Sequence, residues 1–196
     1  LYKVAGVTDP FMRAFKDGLT VYPIGKPNAN NANTAIWYSI LCRNVQMPGG
    51  RPAGPETVNA CQADRQVALQ VMYFALTMDG VRTFFKDPMS VLMAYVGTTN
   101  SKLIPSAKKG QPVAFLSTSQ IHSYLQDFKR NPQLMAQFMQ YSPTYQRMAV
   151  MNPNMQVNPM NPQFPEWQIS FDRAGVLRSM SVENPSIYRM QASGKY

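Results

Sequence analysis

Between Gln62 and Phe85, apolar side chains recur at steps of three and four: Val67, Val71, Phe74, Ala75, Met78, Val81 and Phe85. That spacing lays them along one face of an amphipathic helix, which needs an apolar surface to pack against. Gln62, Gln66, Gln70 and Thr77 are expected on the opposite, polar face. Asp79-Gly80 reads either as a break in this helix or as a weak point within it, and Pro55 is a candidate for an earlier start.

The remaining elements are read from punctuation. Asp9-Pro10, Asp87-Pro88 and Asn131-Pro132 each join a capping side chain to a proline suited to a first helical turn. They predict a helix ending at Gly18, a helix over Met89–Val96, and a helix over Gln133–Tyr141 that buries Leu134, Met135, Phe138 and Met139. Ser119 is expected to cap Gln120–Arg130, with Ile121, Tyr124, Leu125 and Phe128 on one face. Strands are predicted at Leu19–Tyr22, at Pro112–Leu116, and at Ala35–Arg43, whose near-continuous apolar run suits a central strand covered on both sides. A hairpin is predicted from Trp167–Phe171 and Val176–Val182, turning over Asp172 to Gly175. Polar or Gly/Pro-rich loops fill Lys26–Thr34, Met47–Pro55 and Thr98–Gly110.

From Ser142 to Pro165 the periodicity disappears. Asn152-Pro153, Asn158-Pro159 and Asn161-Pro162 remove backbone donors and push the preceding residues into extended conformations. The segment nevertheless carries Tyr145, Met148, Met151, Met155, Met160 and Phe164, too apolar a set for a solvated linker. These six are the candidate partner-binding residues, suited to a groove on a neighbouring subunit; the alternative is that the segment wraps its own domain. The fold class is therefore α+β: a small, mostly antiparallel sheet covered by three or four helices, with long irregular Pro/Asn-rich connections. Residues 1–141 form the core domain, 142–165 an extended Pro/Met-rich arm, 166–182 a hairpin packed on the core, and 183–196 a polar tail.

Composition changes this picture in two respects. Charged residues make up only 15% of the chain, against about 25% in ordinary domains, so Asn and Gln cover much of the surface. The net charge of +9 suits an acidic partner, but the adjacent cations Lys108-Lys109 and Lys129-Arg130 never extend to a run of three. Cys42 and Cys61 are a disulfide candidate worth about 3 kcal/mol, the alternative being two buried thiols; a bond would indicate an oxidising compartment. The longest nearly apolar run, Val67 to Met78, is too short for a transmembrane segment.

The sequence carries no recognisable catalytic constellation. His122, the one histidine, lies beside the apolar face of its helix and reads as a packing residue rather than a base. Asp9 and Asp87 read as caps, Asp172 as a turn residue, and Glu56 and Asp64 as first-turn acids favoured by the helix dipole. Gly97 to Lys102 lacks the spacing of a phosphate loop. Met151, Met155 and Met160 could ligate Cu(I), but adaptable packing is the better account, as core packing is for Trp37 and Tyr38.

No catalytic, cofactor or metal residue is assigned, and the chain is not expected to be an enzyme. The expected function is that of a structural or accessory subunit of a large multiprotein assembly. Its partners are other subunits, copies of itself among them. A bacterial cell-envelope machine such as a secretion or conjugation apparatus, in the periplasm or associated with the outer membrane, is favoured. The alternatives are a virus or phage particle and a basic nucleic-acid-binding module.

Overall fold

The computed structural model describes residues 26–46, 60–87, 114–153 and 156–182. The expected elements before Lys26, the loops Met47–Pro55 and Thr98–Gly110, the helix Met89–Val96, residue Met155 and the tail 183–196 lie outside these ranges. The described chain forms α1 (Thr34–Arg43), β1 (Val45–Gln46), α2 (Ala60–Ala63), α3 (Arg65–Lys86), α4 (Thr118–Arg130), α5 (Pro132–Met139), α6 (Pro143–Met151), β2 (Ser170–Phe171) and α7 (Arg173–Ser179).

Helix α3 is the predicted organising helix, and α1, α2, α5 and α6 pack around it. Asp64 is its N-cap rather than a first-turn acid, accepting from the Gln66 and Val67 amides at 2.8 and 3.3 Å. The helix runs without interruption through Asp79-Gly80. Its middle is enclosed nearly all round, so Gln70 and Thr77 are buried, not on a solvated face as the periodicity suggests. Gly80 sits where α3 meets α5: a Cβ there would fall on the Phe138 carbonyl. The missing side chain is what allows the two backbones to approach.

Residues 35–43 form helix α1, not the predicted central strand. The Asn33 side chain accepts from the Ile36 amide at 3.0 Å and starts it. Thr34, Trp37, Ile40 and Leu41 are buried, while Ala35, Ser39 and Arg43 are exposed at intervals of four. Those three small or polar positions carry the helical period in the sequence; the apolar run around them hid it.

Among the described residues the sheet is two-stranded and antiparallel, with Val45 opposite Phe171 and Gln46 opposite Ser170. The α+β class stands, with the sheet small and the connections rich in Pro and Asn. The predicted hairpin does not form. β2 pairs with β1 from far away in the sequence, and the supposed second strand is helix α7. Asp172 is that helix's N-cap, accepting from the Ala174 and Gly175 amides at 3.0 Å each, rather than a hairpin turn residue. Residues 114–116 form no strand either. Instead the Asn30 side chain binds both the amide and the carbonyl of Phe115, at 2.9 Å each, doing what a neighbouring strand would do.

Helices α4 and α5 follow the expected pattern. Ile121, Tyr124, Leu125 and Phe128 are buried on α4, and Met135, Phe138 and Met139 on α5, with Leu134 half-buried. α4 begins one cap earlier than expected, at Ser117, where the Gln120 side chain accepts from the Leu116 and Ser117 amides. Edge-on aromatic contacts join α4 to α5 through Phe128–Phe138, α5 to α3 through Phe84–Phe138, and α3 to β2 through Phe74–Phe171. Cys42 at the end of α1 and Cys61 in α2 form a disulfide, their Cα atoms 5.8 Å apart.

Candidate functional site

The segment that follows α5 holds the candidate partner-binding residues, and its first part is helical. Ser142 caps α6, accepting from the Tyr145 amide at 3.3 Å, and Pro143 takes the first turn. The same Ser142 hydroxyl donates to Asp79 Oδ2 at 3.0 Å, which fixes the start of α6 to the centre of α3. The expectation of extended chain throughout 142–165 therefore fails over Pro143–Met151: Ser-Pro opens a helix as well as Asn-Pro does, and Asn152 with Pro153 ends it.

Tyr145 is buried with Leu76 and Met139, and Met148, Ala149, Val157 and Phe164 pack partly against that cluster. The Tyr145 hydroxyl accepts from the Val157 amide at 2.8 Å, which holds the chain beyond Asn152-Pro153 against α6. Asn158 Oδ1 accepts from the Met160 amide at 2.9 Å in a tight local turn. Phe164 meets Tyr73 edge-on at 5.2 Å and lies 5.4 Å from Trp167, which in turn lies 5.0 Å from Phe74.

The extended backbone that follows is held by side chains. Gln70, 1% exposed on α3, donates through Nε2 to the Glu166 carbonyl at 3.2 Å and accepts through Oε1 from the Gln168 amide at 3.1 Å. Lys129 Nζ on α4 donates to the Ile169 carbonyl at 2.9 Å. An amide side chain thus gives a proline-rich segment the donor and acceptor that a sheet neighbour would supply. These two clamps were missed because nothing local marks a glutamine or a lysine whose partner lies far along the chain.

The six candidates divide accordingly. Tyr145, Met148 and Phe164 are anchored to their own domain. Met151 and Met160 stand out in solvent, 78% and 80% exposed, and Val150 beside Met151 is 81% exposed. Met155 lies outside the described residues.

His122 and Tyr124 lie on α4 within or beside its buried face. His122 is half-buried on α4 with Nδ1 enclosed and unpartnered. Burial lowers its pKa, the nearby Arg173 lowers it further, and Asp172 opposes both. The enclosed Tyr124 hydroxyl has its pKa pushed up to about 12, chiefly by burial and then by Asp127. Among the described residues, no group of three or more His, Cys, Asp or Glu side chains is placed to hold a metal ion, and no helix is long and apolar enough to cross a membrane.

The chain matches no protein-family model, no curated protein and no solved structure.

Proposed function

We propose that this protein is a structural or accessory subunit of a large multiprotein assembly in the bacterial cell envelope, such as a secretion or conjugation apparatus. The observation that carries the reading is the pairing of anchored and exposed apolar residues in one segment. Tyr145 and Phe164 fasten it to the core, while Val150, Met151 and Met160 project almost fully into solvent. Long apolar side chains held out on a fixed support favour a contact with another protein, and Met is enriched at such contacts. The disulfide supports an oxidising compartment such as the periplasm.

The test is the size of the native complex. Detergent-solubilised envelopes of the source cells are run on a native gel and probed for this chain. The expected result is migration with a heavy complex, lost in the Val150→Glu/Met151→Glu variant, while purified variant and parent show the same melting temperature and oxidised cysteines. A parent chain that migrates alone, or a folded variant that stays in the complex, would overturn the proposal.

A further inference from the structure

A second surface lies along the flank of α1 that carries the exposed Ala35, Ser39 and Arg43. The exposed flank of α1 faces the end of α7 and the Lys26-Pro27 stretch across an open cleft of about 620 Å³. The cleft is kept in shape by backbone. The Ala29 amide donates to the Ser181 carbonyl at 2.8 Å, and the Ser181 amide donates to the Pro27 carbonyl at 2.9 Å. Asn44, just past α1, donates to the Ser179 hydroxyl at 3.3 Å and ties the ends of α1 and α7 together.

Three cations line the cleft, Lys26, Arg43 and Arg178, each from a different element, and among the described residues no carboxylate lines it. Among the described residues the one ion pair is Arg82–Asp79, so none of the three is neutralised there. A cation in the last turn of a helix is favoured by the helix dipole, and that accounts for Arg43 and Arg178 singly. It does not account for both sharing one concavity with Lys26, a setting whose positive potential favours an anionic occupant. Pro27 and Ile36, with the edge of the buried Ile40, supply an aliphatic floor.

We infer that this cleft binds an acidic, extended peptide segment of a partner protein, with carboxylates on the three cations and an aliphatic side chain on the floor. The shape favours a peptide over a compact anion. Lining residues run along α1 from Ala35 to Arg43, a span of about 12 Å at the helical rise, which accommodates roughly four residues of extended chain. A single phosphate would occupy a fraction of that length. A nucleic-acid strand would want aromatic faces on which to stack bases, and among the described residues the lining has none. The inference extends the assembly reading by giving the chemistry of a second contact. Its test uses the isolated chain, so its failure would leave the Val150 and Met151 contact standing.

The experiment is titration of the isotope-labelled full chain, by NMR and calorimetry, with a short N-acetylated peptide of alternating Asp and Leu. Its Asn/Leu counterpart, inorganic phosphate and a single-stranded oligonucleotide serve as competing probes. The expected result is shift changes centred on Ser39 and Ser179, with binding that weakens as salt rises and falls about 10-fold or more for the Asn/Leu peptide. The Lys26→Ala/Arg43→Ala/Arg178→Ala variant, whose changes are all at exposed positions, should bind at least as weakly while melting like the parent. Equal binding of the neutral peptide, undiminished binding by the triple variant, or no saturable binding would overturn the inference. So would phosphate or the oligonucleotide binding more tightly than the acidic peptide through the same three residues.

Discussion

Thr34, at the start of α1, donates its hydroxyl to Asp79 Oδ2 in the middle of α3 at 2.7 Å, with both residues buried. Ser142 donates to the same oxygen, and Arg82 Nε and Nη2 both reach the other, at 3.1 and 2.6 Å. One carboxylate therefore joins the first turns of α1 and α6 to the central helix. Asp79→Ala leaves two buried hydroxyls and a largely covered guanidinium without their acceptor. The expected loss is about 3 kcal/mol, read as a lower urea midpoint at unchanged slope. A change under about 0.5 kcal/mol, the level of an ordinary surface substitution, would show that the network is incidental.

Gly80→Ala sets two effects against each other. Alanine favours the helix by about 1 kcal/mol over glycine. Its Cβ would fall on the Phe138 carbonyl, so α5 has to move away from α3. Backbone displacement in a packed core outweighs propensity, and a net destabilisation of about 1–3 kcal/mol is expected. Thermal melting decides it: a stabilised variant would mean that the two helices are not held at this distance.

Gln70→Ala removes both bonds to the 166–168 backbone. Loss of a buried double clamp is expected to cost about 1–2 kcal/mol, felt mostly in that segment. The Gln168 amide should exchange faster with solvent deuterium, while amides in the middle of α4 keep their protection. Uniform acceleration across the chain would instead make Gln70 a general core residue.

His122 makes stability depend on pH in one direction. Its folded pKa is lowered, chiefly by burial and then by Arg173, so between that value and the ordinary value near 6.5 the unfolded chain binds the proton more readily. Stability is complete above about pH 6.5 and declines as pH falls toward the folded pKa. His122→Gln should remove that part of the slope, which lies below about pH 6.5. Parallel pH profiles for parent and variant would show that the histidine titrates freely.

The amino-acid sequence by itself determined whatever depends on neighbours within a turn or two. The apolar stripe of α3, the Asn-Pro start of α5 and the buried face of α4 are all local patterns, because a helix satisfies its backbone from its own residues. The cysteine pair was legible as a candidate because the chain holds only two. Where the hydrogen-bonding partner is remote, local pattern was ambiguous. The alternation around Phe171 and Val176 suits a hairpin, yet Phe171 pairs with Val45 and Val176 lies in a helix started by Asp172. Ala35–Arg43 is apolar enough for a buried strand, and its local helix signals, the Asn33 cap and the period of Ala35, Ser39 and Arg43, are joined by packing against α3 in selecting the helix. Gln70 and Asp79 show the limit most directly. Each is a buried polar residue on a strongly apolar helix whose partners come wholly or partly from distant parts of the chain: residues 166–168 for Gln70, and Thr34 and Ser142 beside the local Arg82 for Asp79. A buried polar group is tolerable only when such partners are in place, and that condition is met by tertiary structure alone.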